Sequence, residues 1–501
     1  MNMNLPLLID TFPHLRVLVI GEAMLDIYLE GSSGRLCREA PVPIVTVSDR
    51  RVAPGGAANA AVNVASLGGK VTFLSVVGYD LEANILKDAI RDRGVSTEHV
   101  LTQPFRSTIS KQRVIADSQM LVRFDQGSGS MIDRETEQLL TDRLACLFPS
   151  CDAVVVSDYG YGVLTPGIIQ TLADLQSRSP RPIVVDSKKL TAYRPVGVTA
   201  VKPNYGEAVH LLGVEELEDP GDRAKQIPMH AGQLFDLTGA QIAAVTLDTD
   251  GALIFERGCP PYRTYARPAR HSRAAGAGDT FISAFALALA AGGDTPAAAE
   301  LASAAAAVVV GKEWTATCSG HELREKIAGG GKYLPDNTRL GSRVDLYRQQ
   351  GQRIVFTNGF FDLLQKGHIA YLNHAKSLGD VLIVGVNSDV SVRRLKGPGR
   401  PINTLEDRAQ VLAALSSVDL VVAFDADTPH DLIRSIRPDV FAKGGDYTRE
   451  MLPEVSLVEE LGGTVRILPY VEDRSTSDII DRIRGGYAQP VAGRTRGQKS
   501  G

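Results

Sequence analysis

Short, uniformly apolar runs bounded by glycine or a polar residue recur along this chain, and they predict its strands. Residues 17–20 stop at Gly21, residues 153–156 stop at Ser157-Asp158-Tyr159, and residues 183–185 stop at Asp186. A further run at 243–247 leads to the turn Asp250-Gly251. Strands this apolar are buried on both faces. They alternate with helical stretches, which predicts βαβ units and a parallel sheet. In such sheets ligands sit beyond the carboxyl ends of the strands, so Asp158 and Asp186 are site candidates. Segments 108–114 and 122–125 alternate polar and apolar residues instead and predict half-buried strands. Residues 60–67 predict a small-residue helix ending at Gly68-Gly69, and the Ala-rich stretches 281–292 and 301–311 predict buried helices.

The same α/β rhythm returns after residue 350. Residues 352–358 predict a strand entering a glycine turn, and 381–386, 418–424 and 440–442 predict three more. A helix begins near Gly367-His368 with Ile369, Leu372 and Ala375 on one face. A last helix covers 479–483. Between the halves, Gly329-Gly330-Gly331, Pro335-Asp336-Asn337 and Gly341-Ser342 break the periodicity. The predicted organisation is an α/β domain at 1–328, a linker at 329–349, a second α/β domain at 350–485 and a disordered tail at 486–501.

Composition narrows the function classes. The 501 residues leave room for more than one domain. A formal net charge of −4 supplies no basic field, so neither nucleic acid nor an anionic membrane is an expected partner. No stretch reaches the roughly 18 strongly apolar residues of a membrane span. Residues 1–14 lack the basic start and cleavage site of a secretory signal. The five cysteines are scattered and never form Cys-x-x-Cys, which suits reduced thiols. The expected location is the cytoplasm.

Chemistry concentrates at Gly276-Ala277-Gly278-Asp279-Thr280, a small-residue loop opening a helix. Unpaired amides at a helix start, without bulk around them, cradle a phosphate. Asp279 in the first turn is placed to take a proton from a hydroxyl, or to cap the helix. Gly55 and Gly56 permit close backbone approach, and Asn59 offers a donor and an acceptor to sugar hydroxyls. Asp26 follows the first strand closely enough to present a carboxylate to a ligand. Lys111 and Arg113 can meet a phosphate or face solvent. Asn204 and Glu207, three apart, fit a hydrated Mg²⁺ as well as they fit a helix cap.

The three ordered motifs, at 55–59, 204–207 and 276–280, resemble the ribokinase-type sugar kinases over roughly residues 10–325. The resemblance implies a ribokinase-like fold and ATP as substrate. It makes Gly276, Ala277 and Gly278 the anion hole and Asp279 the base, with Asn204 and Glu207 at ATP and Mg²⁺. Asp26, Gly56 and Asn59 match its sugar-contacting positions. Residues 38–43 resemble the heptose-phosphate kinase branch. One departure is Arg273-Ala274-Ala275, where the family has Asp-x-Thr beside a monovalent cation. A guanidinium cannot ligate K⁺, so a K⁺-independent kinase is expected.

The second half resembles the cytidylyltransferase-like nucleotidyltransferases over roughly 350–485, implying a Rossmann-like domain. Residues 387–389, 394–397 and 443–447 point to the heptose-1-phosphate adenylyltransferase branch. By this resemblance Asn358, Gly359, Phe361, Asp389, Lys396, Lys443, Gly444, Asp446, Ser475 and Thr476 contact ATP. His368, at a helix start, is catalytic. The family's His-x-Gly-His signature reads Gln365-Lys366-Gly367-His368 here. Gln365 donates a hydrogen bond but carries no charge, a loss of about 1–2 kcal/mol. Together the halves resemble the bifunctional enzymes of ADP-heptose synthesis for the lipopolysaccharide core. That implies phosphorylation of D-glycero-D-manno-heptose 7-phosphate at the anomeric hydroxyl. A separate phosphatase then acts, and adenylyl transfer to heptose 1-phosphate follows. The alternatives are an active kinase with a weakened or regulatory second domain, or the same two reactions on another sugar phosphate. A homodimer is expected.

Overall fold

The apolar runs of the first half line up side by side. In the computed structural model, which describes residues 5–117, 119–266, 273–327, 332–334, 340–445 and 447–468, the chain divides into two units. One holds residues 3–333 and 410–419, and the other is built from 334–409 and 420 onward.

The first unit's strands are β1 (Arg16–Gly21), β2 (Ala23–Leu36), β3 (Pro43–Gly56), β4 (Lys70–Val77), β5 (Val100–Thr102), β6 (Ile109–Ala116), β7 (Gln119–Gln126), β8 (Ala153–Asp158), β9 (Ile183–Ser187), β10 (Ala200–Val201), β11 (Ile242–Thr246), β12 (Ala252–Glu256) and β13 (Tyr262–Thr264). Nine of them form one sheet in the order β13-β12-β11-β10-β9-β8-β1-β4-β5. It is parallel from β5 to β11, and β12 and β13 run antiparallel at its end. Leu18, Ile20, Val154, Val156 and Val185 are buried beneath Leu140, Leu144, Ile168 and Leu172 of the covering helices. Each such side chain contributes about 1.5–3 kcal/mol of burial.

A second sheet, β3-β2-β6-β7, stands apart from this one. Its inner strand β6 is half-buried as expected. The expectation fails for β7, which is exposed along its whole length. Alternation signals one wet and one dry face, but β7 is an edge strand with no layer packed on it.

Two small-residue helices position the chemistry. Helix Ala57–Ser66 and helix Ala277–Ala290 pack closely because alanine and serine face each other. Ser283 Oγ donates to the Ala60 carbonyl at 3.0 Å, and Thr280 Oγ1 donates to Asn63 Oδ1 at 2.7 Å. Their N-terminal ends therefore share one space. A short pair, β14 (Arg273–Ala275) and β15 (Glu313–Thr315), lies beside it.

The second unit's sheet has the order β16-β19-β18-β17-β20-β21, from β16 (Tyr333–Leu334), β17 (Ile354–Gly359), β18 (Val381–Asn387), β19 (Leu420–Phe424), β20 (Val440–Gly444) and β21 (Thr464–Leu468). The pairs from β19 to β21 are parallel, as the apolar runs predict. The expected linker, 329–349, contains helix Leu340–Gln349, whose Leu340 and Val344 are buried in this unit's core. Glycine and serine at 341–342 read as loop, yet Leu340, Val344 and Tyr347 follow helical spacing and supply an apolar stripe. The predicted last helix at 479–483 and the tail at 486–501 lie outside the described residues.

Candidate active sites

Gly276 caps helix Ala277–Ala290 with φ at 91°, a conformation that glycine adopts without strain. A Cβ there would collide with Asn59 Nδ2. The first turn leaves unpaired amides, as every helix start does, around Ala277 and Gly278. Asp279, only 7% exposed, is held from two sides. Asn59 Nδ2 donates to its Oδ2 at 2.7 Å, and the Tyr159 hydroxyl donates to its Oδ1 at 2.9 Å. Burial pushes the Asp279 carboxyl up to about 6; Asp186 adds to the rise, while Asn59 and Tyr159 oppose it. A carboxylate with that affinity is ionised at neutral pH and still basic enough to accept a proton.

Asp26 lies in mid-strand of β2, not at a strand end. Its Oδ1 accepts from Arg113 Nη1 at 2.9 Å, and its Oδ2 accepts from Thr315 Oγ1 at 3.0 Å. Arg113 is thus already paired and also lies over the Tyr28 ring. Gly55 backs onto this carboxylate, where a Cβ would stand 2.6 Å from Asp26 Oδ2. Gly56, with φ at 59°, caps helix Ala57–Ser66 and sets the direction in which Asn59 leaves. The parallel register of β2 and β6 places Lys111 beside Asp26. The Lys111 ammonium sits 5.1 Å over the ring of Tyr159, the residue whose hydroxyl bonds Asp279.

Asn204 and Glu207 form a reciprocal cap at the start of helix Tyr205–Leu212. Asn204 Oδ1 accepts from the Glu207 amide at 2.8 Å, and Glu207 Oε2 accepts from the Asn204 amide at 2.9 Å. Both also line a cavity of about 230 Å³ shared with Gly276, Gly278, Asp279, Asp158 and Asp186. Among the described residues no cluster of three His, Cys, Asp or Glu side chains is arranged to hold a metal alone. Mg²⁺ commonly takes one or two protein oxygens plus substrate phosphates, and Glu207 with Asn204 offers such a set on the cavity wall. Arg273 lies in β14, but its side chain falls outside the described residues.

The second unit gathers its candidates at the carboxyl ends of β17, β18 and β20. Lys443 Nζ donates to Asn358 Oδ1 at 2.8 Å, and burial lowers its pKa. Phe361, with φ at 46°, lies edge-on to His368 at 5.9 Å between ring centres. Close beside Gly359, a Cβ would stand 3.1 Å from the Phe361 ring. Gly444 backs onto Tyr371, where a Cβ would stand 2.7 Å from the ring. Lys396 lies 5.3 Å over the Phe360 ring. The Gln365 amide donates to His368 Nδ1 at 3.3 Å, so the ring proton belongs on Nε2. Burial drives the His368 imidazole down to about 4. Gln365 itself is the residue that opens helix Lys366–Lys376. Asp446, Ser475 and Thr476 lie outside the described residues.

Asp389 accepts from Arg408 Nη2 at 2.7 Å, and Arg408 Nη1 donates to the Phe360 carbonyl at 2.6 Å. Arg408 is 2% exposed and ties the turn after β17 to the helix after β18. Asp362 performs a similar task, accepting the amides of Ile402 and Asn403 at 2.7 and 2.9 Å.

The pfkB family carbohydrate kinase profile matches residues 14–321, and the cytidylyltransferase-like profile matches residues 356–482. Two bifunctional proteins named HldE match across both halves. The one from Desulfatibacillum aliphaticivorans is 38% identical, covering 95% of this chain and 98% of its own length. The one from Alcanivorax borkumensis is 40% identical, with the same shares. The chain belongs to the bifunctional HldE family. It is a sugar kinase and an adenylyltransferase in one polypeptide, acting on sugar phosphate and ATP. Identity that runs through both domains favours two active halves over a weakened second one. Among solved structures, phosphofructokinase-2 from Escherichia coli in complex with potassium aligns with a TM-score of 0.52 at 21% identity. It covers 62% of this chain and 97% of its own. Ribokinase from Arabidopsis thaliana aligns with a TM-score of 0.50 at 19% identity, covering 62% and 98%. Both bear out the fold of the kinase domain.

Sequence reasoning missed several residues that this HldE-family structure brings forward. Tyr159 was visible as a strand end, but nothing local says that its hydroxyl reaches Asp279. Arg408 carries no motif at all. Glu22, which accepts the Tyr159 and Val163 amides at 2.7 and 3.2 Å, sits between two strands that read as backbone only.

The Asp279 environment sets a pH dependence. With Asp279 as the base, only its ionised form accepts a proton, so phosphorylation is expected to fall as pH drops through about 6 and to level off above it. Tyr159→Phe removes a bond that favours the ionised form, so the inflection moves upward. Initial rates of ADP release between about pH 5 and 8 check both statements; an unmoved inflection refutes the second.

Proposed function

We propose that the chain makes ADP-heptose in two separated steps. The first domain phosphorylates the anomeric hydroxyl of D-glycero-D-manno-heptose 7-phosphate. After a phosphatase removes the 7-phosphate, the second domain joins heptose 1-phosphate to AMP from ATP and releases pyrophosphate. The observation that carries the first step is Asp279 held between Asn59 and Tyr159 at the mouth of the Gly276-Ala277-Gly278 turn. Asp279 takes the hydroxyl proton as the sugar oxygen bonds to the γ-phosphorus and ADP leaves. The amides of the turn hold the growing charge. When bound, Mg²⁺ screens the charge on the ATP phosphates; Asn204 and Glu207 are the residues that would hold it.

In the second domain the sugar phosphate attacks the α-phosphorus of ATP directly. Lys443 and the Nε2–H of neutral His368 are the donors facing the charge that builds on the departing pyrophosphate. Asn358 keeps the Lys443 ammonium in place.

We place the protein in the cytoplasm, where ATP and sugar phosphates are available to it; separately, no helix among the described residues is long and apolar enough to cross a membrane. Met120, Leu121, Val122 and Phe124 are exposed on the edge strand β7, and we assign this apolar edge to contact with a second copy. Sedimentation of the full chain tests the dimer.

The deciding experiment incubates the full chain with ATP, Mg²⁺ and a panel of sugar 7-phosphates and 1-phosphates, with products identified by mass. A heptose bisphosphate and an ADP-heptose are expected. Turnover of another sugar phosphate in preference to both heptoses would overturn the substrate assignment.

A further inference from the structure

We infer that Lys202 is a catalytic residue of the kinase domain, donating from its ammonium to the phosphoryl group during transfer. This rests on the kinase reading above and adds a group that the anion hole and the base do not include. Lys202 follows β10 directly, and its backbone is pinned by a bond from its amide to the Val185 carbonyl at 2.9 Å. Its side chain is buried, and Nζ pairs with Asp186 Oδ2 at 3.0 Å. A Cβ built on Gly278 would stand 3.6 Å from that nitrogen, so the ammonium lies directly against the anion-hole turn.

Two arguments carry the inference beyond a structural ion pair. The first is charge balance. Asp158, Asp186, Glu207 and Asp279 all face the cavity, against Lys188 and Lys202. A triphosphate entering such a space meets four carboxylates, and it needs fixed positive charge at the point of transfer. The second is donor capacity. An ammonium has three N–H bonds, and among the described residues Asp186 engages one of them. Gly278 has no side chain to separate the others from an anion in the turn. Asp186 then acts as a positioning residue that fixes where the ammonium points. In the reaction Lys202 keeps its proton throughout. The hydroxyl proton goes to Asp279, the new bond forms between the sugar oxygen and the γ-phosphorus, and the bond to the ADP oxygen breaks.

The test uses the full chain as Lys202→Met and as the double variant Asp186→Asn/Lys202→Met, beside the parental protein. The double variant removes the unpaired buried carboxylate that the single one leaves. ADP release is followed with heptose 7-phosphate and Mg-ATP, with melting temperature recorded for each protein. A fall in kcat of roughly 100-fold or more in both variants is expected, with KM for each substrate within about threefold. A double variant that recovers the parental kcat shows that Lys202 serves folding only, and overturns the inference. A kcat loss matched by an equal rise in KM for ATP overturns it too, since it marks ground-state binding. A parental protein that releases no ADP with any sugar phosphate overturns the kinase reading, and this inference with it.

Discussion

Asp279→Asn abolishes most of the sugar phosphorylation, by about 10³-fold or more, while adenylyl transfer by the same protein stays at the parental rate. The substitution keeps the volume and removes both the charge and the proton acceptor. General-base catalysis is worth about 10²–10⁴-fold, or roughly 3–5 kcal/mol at about 1.4 kcal/mol per tenfold. A second loss adds to the first. Asn59 Nδ2 and the Tyr159 hydroxyl both donate to Asp279, one to each oxygen. An amide offers acceptors on one side and donors on the other, so with its oxygen kept toward Asn59 the Tyr159 hydroxyl must turn from donor to acceptor. The expected geometry of the site is therefore disturbed as well as its charge. ADP release with heptose 7-phosphate measures the effect, and a rate within about tenfold of parental would remove Asp279 from the role of base.

His368→Ala produces the mirror result. Adenylyl transfer falls by about 10²–10³-fold, the range seen when one donor to a developing negative charge is lost, and phosphorylation is unchanged. The imidazole is neutral near pH 7 because burial holds it near 4, and its Nδ1 is already engaged by the Gln365 amide. What it gives up in the variant is a single Nε2–H donor, not a charge. The sign follows from that. Lowering the pH to about 5.5 does not protonate His368, so its contribution stays constant across the neutral range. Pyrophosphate release with heptose 1-phosphate reads the rate, and a loss below about fivefold would show that His368 only caps its helix.

Much of this architecture was legible in the chain. Uniform apolar runs such as residues 153–156 and 381–384 do become buried parallel strands, because a run without alternation has no wet face to offer. The glycine turn at 276–278 opens a helix because a left-handed cap followed by small helix formers admits little else. The Asn204–Glu207 pair was open between a metal site and a cap, and the structure shows the cap on the wall of the cavity. Two features went the other way. Residues 122–125 alternate yet stay exposed, and residues 340–349 carry loop residues yet form a helix. In both cases the neighbour, or its absence, decided.

Local chemistry, then, was written in short stretches: which segments extend, which glycines turn, and which helix starts can hold a phosphate. These depend on backbone sterics and on the period of apolar residues over a few positions. Partnership was not. That Asn59, Lys111, Tyr159, Lys202 and Asp279 share one space follows from strand order, β2–β6 register and the close packing of two alanine-rich helices. A side chain's protonation and its donors are set by groups more than a hundred residues away, and only the folded chain brings those within 3 Å.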